Sequence, residues 1–97
     1  MSKQILTITS AAVPVERAGE VVSAYHAILA QDIPDGLLRT HLVHDGQGRW
    51  AIHTLWRDQA AIDAMRAGAQ PPAAPTLFRN LGVEPTLTIL TVEAAST

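Results

Sequence analysis

Two hydrophobic periodicities divide the chain. Residues 4–12 (QILTITSAA) alternate β-favouring Ile and Thr with other apolar residues, the pattern of a strand. Pro14 follows, and its fixed φ and missing N–H suit the first turn of a helix. From there to Gln31 the apolar positions are Ala18, Val21, Val22, Tyr25, Ile28 and Leu29. Their i, i+3, i+4, i+7 spacing predicts an amphipathic helix of about four turns. Glu16 near its start suits the macrodipole. The segment DIPDG (32–36) then breaks the chain with Pro34 and Gly36.

Residues 37–44 (LLRTHLVH) and 49–56 (RWAIHTLW) are two β-patterned runs around Asp45-Gly46-Gln47-Gly48, a hairpin signal. A two- or four-residue loop pairs residues whose numbers sum to 93. On that register Leu37, Arg39, His41 and Val43 share a face with Trp50, Ile52, Thr54 and Trp56. Leu38, Thr40, Leu42 and His44 join Ala51, His53 and Leu55 on the other. An odd loop exchanges these partners, because side chains alternate with period two.

Asp58 is a candidate N-cap for a helix over 59–67, with Ala61, Ile62 and Met65 facing inward. The Pro-Pro pair of GAQPPAAP (68–75) stops that helix. Thr76 to Leu81 reads as a short helix closed by Gly82. PTLTILTVE (85–93) alternates into a last strand, and 94–97 is expected to fray. The order is the βαββαβ ferredoxin-like pattern: an α+β fold with an antiparallel four-stranded sheet, in one domain spanning 1–97. Helices cover one face of such a sheet, so the other, also apolar, is expected to meet a second copy in a homodimer.

Composition narrows the partners. Seven Lys+Arg against nine Asp+Glu give a formal charge of −2, which argues against nucleic acid and against a cationic membrane face. No apolar run reaches the ~18 residues of a membrane span. The first ten residues do not read as a signal peptide, and the expected location is cytoplasmic. The chain has no cysteine, which removes thiolate catalysis and cysteine-ligated zinc. There is no HExxH, P-loop or GxGxxG motif, so no metal and no nucleotide cofactor are expected.

The opening ILTIT, the PDG before the second strand, the hairpin and above all TLWRDQAAIDAM resemble the antibiotic biosynthesis monooxygenase (ABM) superfamily of dimeric α+β barrels. The resemblance runs from Ile5 to Val92. It implies a cofactor-free monooxygenase acting on an aromatic polyketide-like or quinol substrate, with molecular oxygen as co-substrate. A cyclase or isomerase on the same scaffold, and a non-catalytic dimeric small-ligand-binding protein, are the alternatives, since fold alone does not choose among them. Many relatives carry a His about nine or ten residues after the tryptophan, on the helix that follows, and the haem-degrading branch also uses an Asn in the first strand. Met65, Arg66, Thr7 and Thr9 stand there instead.

On the 93-sum register, Trp56 walls a pocket between sheet and helices, or plugs a strand-to-helix junction. His41 on the same face is the candidate general base for a phenolic proton, with Arg39 stabilising the resulting anion. The alternative is local hydrogen bonding for His41 and a solvated Arg39. Tyr25, Trp50, Thr54, Met65, Phe78 and Arg79 are the expected substrate-binding residues, the last two on the short helix behind the Pro-rich loop. Tyr25 and Arg79 have simpler readings too, as a packing residue and a solvated charge. His53 is read as facing the partner.

Overall fold

A computed structural model describes residues 2–96. It contains β1 (Ile5–Ala12), a 3-10 turn (Val15–Arg17), α1 (Ala18–Leu29), β2 (Leu37–His44), β3 (Arg49–Trp56), α2 (Gln59–Ala67), α3 (Ala73–Asn80) and β4 (Thr86–Thr91). The strands form one antiparallel sheet in the order β2-β3-β1-β4. This is the expected ferredoxin-like α+β arrangement, including the short third helix. The expected tail lies beyond β4, and its last residue, Thr97, is outside the described residues.

The hairpin departs from the expected register. The Asp45 N–H donates to Arg49 O (3.1 Å), closing a loop of Gly46, Gln47 and Gly48. Asp45 Oδ1 accepts from the amides of Gln47 (2.7 Å) and Arg49 (3.1 Å), and these bonds hold its carboxyl below the usual carboxylate range. Gly46 and Gly48 sit at φ +78° and +97°, which other residues rarely adopt. The loop is therefore odd. Thr40 opposes Thr54, and His41 opposes His53, with numbers summing to 94. A register shift between Leu37 and Arg39 leaves Leu38 extra and restores Leu37 opposite Trp56. Leu37 thus keeps its expected face, while Arg39, His41 and Val43 move away from the helices and Thr40 and Leu42 move toward them.

Asp58 caps α2 as expected, its Oδ1 accepting from the Ala61 amide at 2.9 Å. The helix after Pro14 begins with a 3-10 turn and becomes α-helical only at Ala18. The third helix starts at Ala73 instead of Thr76, because Pro75 falls in the first turn, where amides have no intrahelical partner anyway. Gly82 ends it at φ +78°, with the Val83 amide reaching back to Phe78 O (3.1 Å).

The helix side of the sheet carries two apolar clusters. Val21 and Tyr25 of α1 and Leu77 and Phe78 of α3 pack on Ala11, Trp50 and Ile52. Ala61 and Ile62 of α2 pack on Ile5 and Trp56, with Leu37 and Met65 at the margin. Between them runs a polar row across three strands, Thr40–Thr54–Thr7. On the far side the register aligns Leu90–Leu6–Leu55–Arg39 and Thr88–Ile8–His53–His41, and among the described residues no element covers them. Phe78 is fully buried on α3. Phe78→Ala should cost about 3–5 kcal/mol by urea denaturation, and a loss under 1 kcal/mol would contradict its place in the core.

Candidate functional site

A cavity of about 940 Å³ opens between the sheet and the three helices, bordering both apolar clusters. Its floor comes from alternate residues of three strands: Thr7 and Thr9 of β1, Thr40 of β2, and Ile52, Thr54 and Trp56 of β3. Its walls come from α1 (Tyr25, Ile28), α2 (Ala61, Ile62, Met65) and Leu77 of α3. The Pro-rich segment 68–75 also borders it.

Hydrogen bonds fix the polar floor. Tyr25 Oη donates to Thr40 Oγ1 (3.1 Å), which lies 3.2 Å from Thr54 Oγ1. The Trp56 indole Nε1 donates to Thr7 Oγ1 (3.1 Å), and Thr7 Oγ1 in turn donates to Thr54 O at 3.4 Å. The indole ring, 5% exposed, is thereby held against the floor by a bond within the chain. Unused hydroxyl lone pairs remain, and neutral hydroxyls both donate and accept. The floor therefore suits carbonyl or hydroxyl oxygens on a flat apolar ligand. Charge is confined to exposed residues of the lining: Asp32, Asp35, Arg57 and Arg66. Arg57 lies 3.5 Å from Asp58 and 3.8 Å from Asp35.

Of the residues singled out from the sequence, Trp56, Tyr25, Thr54 and Met65 line this cavity. Trp50 is buried at the hairpin end instead, with the His44 ring stacked on it at 4.4 Å between centroids. Phe78 belongs to the core. Arg79 is exposed and lies 3.7 Å from Glu84. His41 and Arg39 do not line the cavity: the 94-sum register puts them on the sheet's far face, so the expected base and cation stand apart from Trp56. The floor hydroxyls Thr7, Thr9 and Thr40 went unnoticed as site residues. Thr7 and Thr9 were legible as alternate residues of one strand, and Thr40 only on the correct hairpin register.

No protein-family model and no curated protein matches the sequence. Solved structures do. A candidate antibiotic biosynthesis monooxygenase from Deinococcus radiodurans superposes with TM-score 0.68 at 21% identity, covering 96% of this chain and 94% of that one. SnoaB, a cofactor-independent oxygenase from Streptomyces nogalater, gives 0.66 at 14% identity over 97% of each chain. The fold is that of the antibiotic biosynthesis monooxygenases. A heme-degrading protein from Mycobacterium tuberculosis shares it as well, with TM-score 0.74 at 19% identity over 100% of this chain and 99% of that one. Haem does not fit the donors present in this cavity. The lining holds no imidazole or thiolate, the Tyr25 hydroxyl is engaged with Thr40, and the Met65 thioether stands alone.

The hydroxyl network yields its own test. Tyr25→Phe removes the donor to Thr40 but leaves Thr40 its Thr54 partner. The expected cost is about 0.5–1.5 kcal/mol in urea denaturation, with an unchanged circular dichroism spectrum. A neutral substitution would mean that the Tyr25 bond contributes nothing to holding the floor.

Proposed function

We propose that this protein is a cofactor-independent oxygenase of a flat phenolic or quinol substrate, held in the cavity beside Trp56. The observation that carries the reading is the floor itself: neutral hydroxyls in a row across three strands, beneath apolar walls and beside an indole. Such a site sets apolar walls against an electron-rich ring while hydrogen-bonding its oxygen substituents. In an anthrone-type substrate, the activated ring methylene supplies all the electrons the reaction needs. Its carbanion reduces molecular oxygen, a carbon–oxygen bond forms, and loss of water leaves a carbonyl. One oxygen atom enters the product and the other leaves as water.

With His41 and Arg39 on the opposite face, the proton in this reading is lost to solvent water according to the acidity of the substrate, and the neutral Tyr25–Thr40–Thr54 hydroxyls act by hydrogen-bonding the resulting anion. The lack of imidazole in the lining favours, as a second reading, ligand binding without turnover. Oxygen uptake with anthrone- and quinol-type compounds, paired with tryptophan fluorescence titration, separates the two. Uptake with a product one oxygen richer is the expected result; binding without uptake selects the second reading, and absence of binding overturns both. Trp56→Ala should weaken binding about tenfold or more, since the stacking partner is lost. His41→Gln should leave the rate within about twofold of wild type.

The assembly in this reading is a homodimer through the uncovered sheet face. At ordinary strand spacing the sheet has a flat footprint of roughly 500 Å². Side-chain relief brings that toward the ~800 Å² per partner of a specific interface. Leu90 remains 45% exposed there, beside half-buried Leu6, Ile8 and Leu55. Leu6→Arg should convert a dimer into a monomer at micromolar concentration in sedimentation velocity. A wild-type chain that sediments as a monomer of ~10 kDa would sink the dimer reading.

A further inference from the structure

We infer that the dimer interface is a pH-sensitive device, and that protonation of His41 and His53 drives the two copies apart. The inference rests on the dimer reading above. The two imidazoles belong to directly opposed residues on adjacent strands, His41↔His53, with Ile8 on the other side of His53. Arg39 lies two residues before His41 on the same face, and Arg49 marks the hairpin end of that face opposite Ala12. The remaining positions there are Leu6, Ile8, Ser10, Ala51, Leu55, Val43, Thr86, Thr88 and Leu90, so the face itself carries no carboxylate.

The acids at its ends are engaged, among them Asp35 and Asp58, which lie 3.8 and 3.5 Å from Arg57 where β2 begins and β3 ends. Asp45 accepts the Gln47 and Arg49 amides at the hairpin tip. Glu93 at the other end is paired with Lys3 at 2.7 Å. Among the described residues no element packs over the face, so in a dimer built on it the groups that confront it are those of the second copy.

A two-fold interface built from these two faces takes both sets of side chains from one list, and that list holds cations, apolar residues and the neutral hydroxyls of Ser10, Thr86 and Thr88. Neutral imidazoles can be covered by apolar side chains at modest cost. Imidazolium would be covered with no counter-charge from either copy, beside arginines of like sign. The sign follows by linkage. Separated chains bind more protons than the dimer, so acidification favours separation. Four imidazoles per dimer take part, so the response to acidification is steep.

Sedimentation velocity of the full chain at pH 8.0, 7.0, 6.0 and 5.5 tests this, with circular dichroism at each pH. The expected result is a dimer at pH 8.0 whose dissociation constant rises at least about tenfold per pH unit below pH 6.5, with helix content retained. The His41→Gln/His53→Gln variant should stay dimeric at pH 5.5, whereas His26→Gln and His44→Gln should dissociate as wild type does. A wild-type dissociation constant that is flat or falls on acidification overturns the inference while leaving the dimer intact. So does a double variant that keeps the wild-type response, or dissociation that only follows loss of helix. A monomer at pH 8.0 overturns the dimer reading itself, and this inference with it.

Discussion

The carboxylate of Asp45 decides which chemistry lies on which side of this sheet. By accepting two amides across the β2–β3 turn it sets the loop at three residues, and the odd count fixes the parity of β2 against β3. Thr40 then joins Thr54 over the cavity, and His41 joins His53 on the opposite face. A loop one residue longer or shorter would put an imidazole and a guanidinium beside Trp56 and leave the threonine outside. The extra residue at Leu38 confines the change to the hairpin, because beyond it Leu37 again faces Trp56.

Most of the fold was legible because its signals are redundant. The spacing from Ala18 to Leu29, the Asp58 cap and the Gly82 stop each rest on local chemistry that tertiary context did not override. β2 offered no such redundancy. In LLRTHLVH both alternating sets contain leucine or valine, so hydrophobicity alone does not orient the strand. Its direction depended on the loop count, and Asp-Gly-Gln-Gly admits even and odd closures. The candidate site inherited that ambiguity. Trp56, Tyr25, Thr54 and Met65 lie on elements whose faces were fixed independently, and all four line the cavity. Phe78 and Trp50 were assigned to the ligand because large aromatic side chains serve cores and pockets alike; both are nearly or fully buried among core residues.

The cavity exists because the two apolar clusters do not merge. Phe78 and Leu77 gather α1 and α3 toward the hairpin end of the sheet, while Ile62 and Ala61 gather α2 toward Trp56. The threonine row between them satisfies its hydroxyls on Tyr25, on a neighbouring threonine, on the Trp56 indole and on a backbone carbonyl. A valine row there would favour closing the helices down over it. Satisfied hydroxyls tolerate an open, partly wet floor, and the helices can remain apart above it.

The same strands serve both faces of the sheet at adjacent positions. Thr40 precedes His41, and His53 precedes Thr54, so each cavity hydroxyl on the hairpin shares a peptide bond with an imidazole on the other side. Peptide planarity and the paired ladder leave little freedom for one side to move alone. A second copy seated on the histidine face would therefore brace the part of the floor that holds Thr40 and Thr54, and its departure would release that constraint. β4 lacks such bracing within the chain: Leu87 and Ile89 are each 43% exposed on the helix side, and Leu87 also lines the cavity. The cavity's firm wall is thus the hairpin side, where the hydroxyl network lies, and its open wall is β4. A flat ligand entering over Leu87 and Ile89 would reach the threonine row edge-on, with its oxygens leading and Trp56 beside its ring.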